Sequence, residues 1–345
     1  MHKECVIKPC DRTSGEQAKH HINQLTKPQG SLGKLETLAV RLAEITGQPF
    51  PEITPPGVIV FAADHGIAEE GVSAFPSEVT AQMAKNFSSG GAAINVFARL
   101  IEAQLKVIDI GIKGTESIPG IEACKIREGT SNFLKGRAMS KSEASAAVAS
   151  GRRQAEEMFQ SGVKCLIPGE MGIGNTTSST ALLAALSGQS IQSITGYGTG
   201  INEAEKQRKI SLIEQSLALH RPDSKDAMDL LSALGGFEIA GMCGAILSAA
   251  EHRIPVLLDG LICTTSACLA VLINPNVKDY LIAGHLSEEP GHRAALNWLG
   301  LEPLLQMGLR LGEGSGAALA YPLLQSAACM IREMATFEQA GIKAE

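Results

Sequence analysis

The string Arg310-Leu-Gly-Glu313-Gly-Ser-Gly-Ala-Ala318 sets one carboxylate between glycines, just before an alanine-rich stretch. A carboxylate in such a place can accept a proton from a ligand lying close to the chain, which is general-base chemistry. The competing reading is a cap, with Glu313 stabilising the start of a helix near Ser315, where negative charge suits the dipole. Glycines on both sides, with another at Gly316, are more than a cap needs and fit close approach by a flat ligand. A second string, Gly169-Glu-Met-Gly172-Ile-Gly174-Asn175-Thr176, has the spacing of a phosphate-binding loop with Asn175 where the lysine would stand. Backbone N–H groups at a helix N-terminus can still hold a phosphate, and without the lysine a phosphate monoester suits better than a nucleoside triphosphate. The alternative is a glycine-rich turn with no ligand.

Other strings are weaker. Gly196-Tyr-Gly198-Thr-Gly200 precedes a helical pattern but lacks the full dinucleotide fingerprint; beside the first glycine string it suggests a second surface for phosphate or ribose. Asp64-His65-Gly66 ends an apolar run, where His65 is either a loop-orienting hydrogen-bonder or a catalytic group. No Gly-x-Ser-x-Gly elbow follows a strand, which argues against a serine hydrolase. His285-Leu-Ser-Glu-Glu-Pro-Gly-His292 holds two histidines and two acids at a spacing unlike a helical zinc motif, so it reads as a substrate-shaping loop and no metal site is expected.

These residues need a scaffold that brings them together. Apolar runs at Val58–Ala63, Leu105–Ile110, Val163–Ile167, Pro255–Leu258 and Tyr280–Ala283 each end in a polar or glycine-rich loop. Helical patterns lie between them, as at 91–103, 142–160, 201–219 and 237–252. Continuous apolar strands alternating with helices predict an α/β fold, a Rossmann-like parallel sheet with helices on both faces. Ligands in such sheets bind beyond the carboxyl ends of the strands, the edge where Asp64, His65, Glu170, Asp259 and His285 fall. The segments 1–46 and 301–345 are helical without a clear strand and are expected to form a small domain beside an α/β body of 47–300.

Composition narrows the function classes. The chain has 345 residues, 44% hydrophobic, 4% aromatic and 19% charged, with a net charge of −6. A large aliphatic core is feasible, and dispersed basic residues with few aromatics exclude a nucleic-acid binder. No run near Met1–Arg12 resembles a signal peptide, and the most apolar region, 256–273, is broken by Asp259, Gly260 and a Thr-Thr-Ser cluster, so no membrane span is expected. Eight cysteines without a Cys-x-x-Cys pair suit a reducing cytoplasm; Cys5 and Cys10 are the one pair open to a disulfide or metal reading.

Lys27-Pro-Gln-Gly-Ser-Leu-Gly-Lys-Leu-Glu36, Ala63-Asp-His-Gly-Ile67, Gly90-Gly-Ala-Ala-Ile-Asn95, Gly169–Thr177, Gly235-Gly-Phe-Glu-Ile-Ala240, Leu258-Asp-Gly260, Gly284-His-Leu-Ser287 and Leu311–Gly316 occur in that order. Together they resemble the nicotinate-nucleotide–dimethylbenzimidazole phosphoribosyltransferase family along nearly the whole chain. The resemblance implies a homodimer and the lower-ligand branch of cobalamin nucleotide-loop assembly. It implies Glu313 as catalytic base, and Glu170 and Lys209 as polar groups of the site. The expected substrate contacts are therefore Glu170, Gly172, Gly174, Asn175, Thr176, Gly198, Gly200, Lys209, Asp259 and His285.

The implied chemistry suits one carboxylate. Nicotinate leaves a mononucleotide as a neutral ring nitrogen, so its departure needs no general acid. The benzimidazole attacks C1′ through its lone-pair nitrogen, its other N–H becomes acidic, and Glu313 accepts that proton. Direct displacement inverts C1′ and gives the α-riboside phosphate, with no cofactor. Two rivals come from other classes. A dehydrogenase is opposed by the incomplete glycine fingerprint, and in a module that only sequesters the base Glu313 would be a hydrogen-bond acceptor.

Overall fold

A computed structural model describes residues 6–114 and 117–342. Its strands are β1 (Pro56–Ala63), β2 (Gln104–Gly111), β3 (Glu122–Ala123), β4 (Cys165–Met171), β5 (Val256–Leu258) and β6 (Leu281–Ala283). The helices are α1 (Arg12–Ile22), α2 (Lys34–Thr46), α3 (Glu78–Ser88), α4 (Ala93–Leu100), α5 (Lys141–Gln160), α6 (Asn175–Ser187), α7 (Ile191–Ile194), α8 (Glu203–His220), α9 (Ala227–Leu234), α10 (Phe237–Glu251), α11 (Leu261–Ile273), α12 (Pro290–Leu299) and α13 (Ser315–Glu333).

Among the described residues the strands form one sheet in the order β3-β2-β1-β4-β5-β6, and every pairing is parallel. This is the Rossmann-like sheet expected from the apolar runs. All eight residues of β1 are buried, so both faces of the sheet centre are covered. The chain reverses its direction across the sheet between β1 and β4, and a crevice opens at the carboxyl ends there.

One strand runs longer than the sequence predicts. Val163–Ile167 reads as the strand and Pro168-Gly169-Glu170-Met171 as its loop, yet β4 continues to Met171, with Pro168 opposite Ile59 and Glu170 opposite Phe61. Gly169 is required there because the main chain of Glu313 crosses it: a Cβ at Gly169 would lie 2.3 Å from the Glu313 carbonyl oxygen. Glu170 is therefore carried by the sheet, not by a loop.

The apolar region 256–273 resolves into β5, a turn at Asp259-Gly260 and the buried helix α11. No helix among the described residues is long and apolar enough to cross a membrane. Helices α5 and α10 pack closely because small residues face each other; a Cβ at Gly244 would lie 2.0 Å from the Val148 carbonyl oxygen. At the ends of the chain α1 packs on α2, and α13 packs on α2 and also on β4 and β5. One apolar cluster runs from Ile7 through Ile331. Cys5 lies outside the described residues, and the Cys10 thiol donates to the Asp279 carbonyl at 3.2 Å.

Candidate active site

Glu313 sits in a turn that few residues adopt. Gly312, Glu313 and Gly314 have φ of 95°, 64° and 86°, and a glutamate in the left-handed region costs energy that a glycine would not. The turn is held from outside. Asp259, just past β5, accepts from the amides of Gly316 at 2.8 Å, Ala317 at 3.1 Å and Gly314 at 3.2 Å. Glu170, near the end of β4, accepts from the Glu313 amide at 3.4 Å. The start of α13 is thus capped by Asp259, and the reading of Glu313 as the cap of its own helix is corrected. Its carboxylate instead accepts from the Ile94 amide in the first turn of α4, at 3.2 Å, through Oε2. Among the described residues Oε1 makes no hydrogen bond.

A cavity of about 460 Å³ opens beside this turn, within the usual size for a small-molecule site. Glu170, Asp259 and Glu313 line it, together with Gly172, Ile173, Asn175 and Thr176. Phe75, Val79, Met83, Met171 and Leu311 give it an apolar wall. Burial is the largest influence on Glu313 and holds its pKa above the ordinary carboxylate range; the Ile94 amide opposes this and the nearby Asp259 adds to it. Glu170 is pushed up to about 8 by burial first, then by the Glu238 and Asp259 carboxylates, against its hydrogen bond from Asn175. At neutral pH Glu170 is thus mostly a neutral acid.

The other predicted residues divide. Gly172, Asn175, Thr176 and Gly198 reach the cavity wall, as do Glu170 and Asp259. Gly174 does not line the cavity: it is the N-cap of α6 at φ 99°, and a side chain there would face His65 and Ala68. Its left-handed backbone is one that favours glycine. Gly200 is likewise outside the wall, at φ 105°. Asn202 with Glu205 caps α8, so the second glycine string does not open that helix. The Gly198 amide already donates to Glu289 at 2.9 Å, and Arg310 donates to the Gly198 carbonyl at 3.2 Å. Lys209 is buried behind the wall and donates to Thr176 Oγ1 at 3.0 Å. Its pKa is lowered to about 8 by burial, against the attraction of Glu289.

His285 is not in the wall either; its Nε2 lies 3.2 Å from Asp259 Oδ1. His292 is fully buried, accepts from the Ser287 amide through Nδ1 at 2.9 Å and sits 3.0 Å from Thr264 Oγ1. Burial pulls its pKa down to about 3, so it is a neutral orienting group of the 285–292 loop. Among the described residues no group of three His, Cys, Asp or Glu side chains is arranged to hold a metal ion. Ser287 and Glu289, from the loop read as substrate-shaping, also line the cavity, as do Arg310 and the apolar side chains, none of which the motifs single out. Val79 and Met83 recur four apart on α3, a spacing that also suits a core face.

The phosphoribosyltransferase family model matches residues 7–342. A nicotinate-nucleotide–dimethylbenzimidazole phosphoribosyltransferase of Halalkalibacterium halodurans is 49% identical over 97% of this chain and 94% of its own. The chain belongs to the nicotinate-nucleotide–dimethylbenzimidazole phosphoribosyltransferase family. A family member from Chloroflexus aggregans is 48% identical over 97% of this chain and 96% of that one. The crystal structure of CobT from Thermus thermophilus superposes with a TM-score of 0.93 at 44% identity, over 96% of this chain and all of the other. The family places this chain among the pentosyl transferases, and neither the dehydrogenase nor the sequestering module is needed to account for the site.

Proposed function

We propose that the enzyme transfers the 5-phosphoribosyl group of nicotinate mononucleotide to 5,6-dimethylbenzimidazole in cobalamin biosynthesis. The carrying observation is Glu313, a buried carboxylate on a left-handed turn, which lines a cavity also lined by the apolar side chains of Phe75, Val79, Met83 and Leu311. The C1′–nicotinate bond breaks with its electron pair going to the ring nitrogen, which leaves neutral. The lone-pair nitrogen of the benzimidazole forms the new bond on the opposite face, and Glu313 takes the proton from the other ring nitrogen. C1′ inverts, and the products are α-ribazole 5′-phosphate and nicotinate. Positioned base catalysis contributes about 10²–10⁴-fold, and alignment of two flat rings about one ribose supplies much of the rest.

The 5′-phosphate is assigned to the end of the cavity where Thr176, Lys209, Gly198 and Arg310 meet, supported by the buried amine of Lys209 beside Thr176. The Ile173 amide is engaged by Thr80 Oγ1 at 3.2 Å, so the glycine loop contributes fewer free donors than its spacing suggests. The segments 1–46 and 301–345 act as one helical unit beside the α/β body, which the packing of α2 on α13 supports. A cytoplasmic homodimer completes the assignment, as the family resemblance implies. The test is direct: protein, nicotinate mononucleotide and dimethylbenzimidazole are mixed, and free nicotinate and the α-riboside phosphate are followed by chromatography and by the C1′ proton coupling. No nicotinate release, or a β-riboside product, would refute the assignment.

A further inference from the structure

Asp64-His65-Gly66 and Gly235-Gly-Phe-Glu238 are strings that the site itself does not use. His65 and Glu238 are both fully buried, with Nε2 and Oε1 2.5 Å apart. Neither lines the cavity. The imidazole occupies a space left clear by three glycines from two segments. A Cβ at Gly236 would lie 2.3 Å from His65 Cε1, one at Gly172 would lie 3.3 Å from Cδ2, and one at Gly174 would lie 3.3 Å from the His65 Cβ. The ring is thus clamped between the 172–174 loop and the first turn of α10. Nearby, Ser178 of α6 donates to the carbonyl of Leu234, the last residue of α9. The pair makes poor sense as plain stabilisation. His65 Nδ1 and Glu238 Oε2 have no protein hydrogen-bond partner among the described residues, and a buried polar pair with open valences is often no better for stability than apolar residues of the same shape.

We infer that His65 and Glu238 are positioning residues for the mononucleotide: their buried contact fixes the 172–176 loop against α10 and so sets where Thr176 and Asn175 meet the phosphoribosyl group. The inference rests on the proposed placement of the phosphate at Thr176 and Lys209. Removing the histidine alone leaves Glu238 buried without its partner, so His65→Phe can fail to fold. His65→Phe/Glu238→Leu removes both partners and keeps the space filled. His65→Gln places an amide N–H near the position of Nε2 and restores a donor to Glu238.

The experiment is steady-state kinetics on the folded enzyme with each substrate varied in turn, alongside thermal melts. The double variant is expected to raise KM for nicotinate mononucleotide about tenfold or more, since a misplacement of about 1 Å at a positioning loop can cost up to about a hundredfold. KM for dimethylbenzimidazole stays within about twofold, and His65→Gln recovers most of the loss. Lys209→Met serves as the control for the phosphate placement. If Lys209→Met raises KM for the mononucleotide but the double variant melts lower with unchanged KM values, the pair is structural and the inference is overturned. If Lys209→Met leaves that KM unchanged, the phosphate placement fails instead.

Discussion

Replacement of Glu313 by Gln and by Gly separates catalysis from support, because the two changes touch different bonds. Glu313→Gln keeps the left-handed backbone and a carbonyl oxygen that can accept from Ile94. It loses the negative charge near the start of α4, an interaction of about 0.3–1 kcal/mol. Glu313→Gly relieves a left-handed cost of about 1–2 kcal/mol and gives up a charge-assisted hydrogen bond of about 1.5–3 kcal/mol, for a net loss of about 1 kcal/mol. Either change should move Tm by only about 1–2 °C. The loss of the base should lower kcat by about 10²–10⁴, equivalent to about 3–5 kcal/mol of activation free energy. Nicotinate release at saturating substrates, measured with melting curves on the same samples, reads both quantities. For the parent, kcat should rise with pH through a pKa above the ordinary carboxylate range, and that limb should vanish in both variants. A Glu313→Gln enzyme within about twofold of the parent kcat would refute the argument. Glu313 would then be a support for α4, and the proton would go elsewhere.

Further outcomes follow from the buried charges. Glu170 holds a proton in the folded protein up to about pH 8, whereas an ordinary glutamate releases it near 4.5. Its contribution to stability is therefore complete below pH 4.5 and lost as pH rises to about 8. Glu170→Gln has no such proton, so its Tm should gain on the parent between about pH 5 and about pH 8, and parallel pH slopes would refute this. Lys209, lowered to about 8, must take up a proton to face a phosphate above that pH. Mononucleotide affinity should fall about tenfold per unit above about pH 8, by calorimetry in two buffers, and Lys209→Met should abolish the trend. Activity should survive a chelator; loss in chelator and recovery with one divalent ion would show that the 285–292 loop binds metal.

What could be read in the sequence was mostly local. The apolar runs behind β1, β2, β5 and β6 fill a buried sheet, and that burial leaves a continuous signal. The end of β4 was obscured because Pro168 and Gly169 usually signal a loop, and only the crossing chain at Glu313 explains them. β3, with two residues, has no pattern to detect. Glycine strings place turns beside the cavity without showing which of their residues line it. Gly174 and Gly200 serve backbone conformation, whereas Gly172 and Gly198 reach the cavity, and the sequence signal is the same for both uses. Capping rules are local as well, so nothing near Glu313 could show that Asp259 caps α13 or that Ile94 receives the glutamate. His65, held between a catalytic and an orienting reading, does not line the cavity, and its partner Glu238 lies far along the chain, where no local pattern could reveal it.

The three amides that Asp259 gathers have a consequence for how this chain tolerates changes of length. They anchor the turn of Glu313 to the end of β5, so its carboxylate inherits its position from the sheet and not from the segment leading up to it. A residue inserted at the exposed Gly308 can be absorbed before the turn begins, leaving Glu313 in register. The same insertion between Gly312 and Gly316 would shift every amide past Asp259 and carry the carboxylate away from the cavity. Indels should therefore accumulate around 306–309 and be absent from 312–317, a boundary that an insertion scan with an activity readout would draw directly.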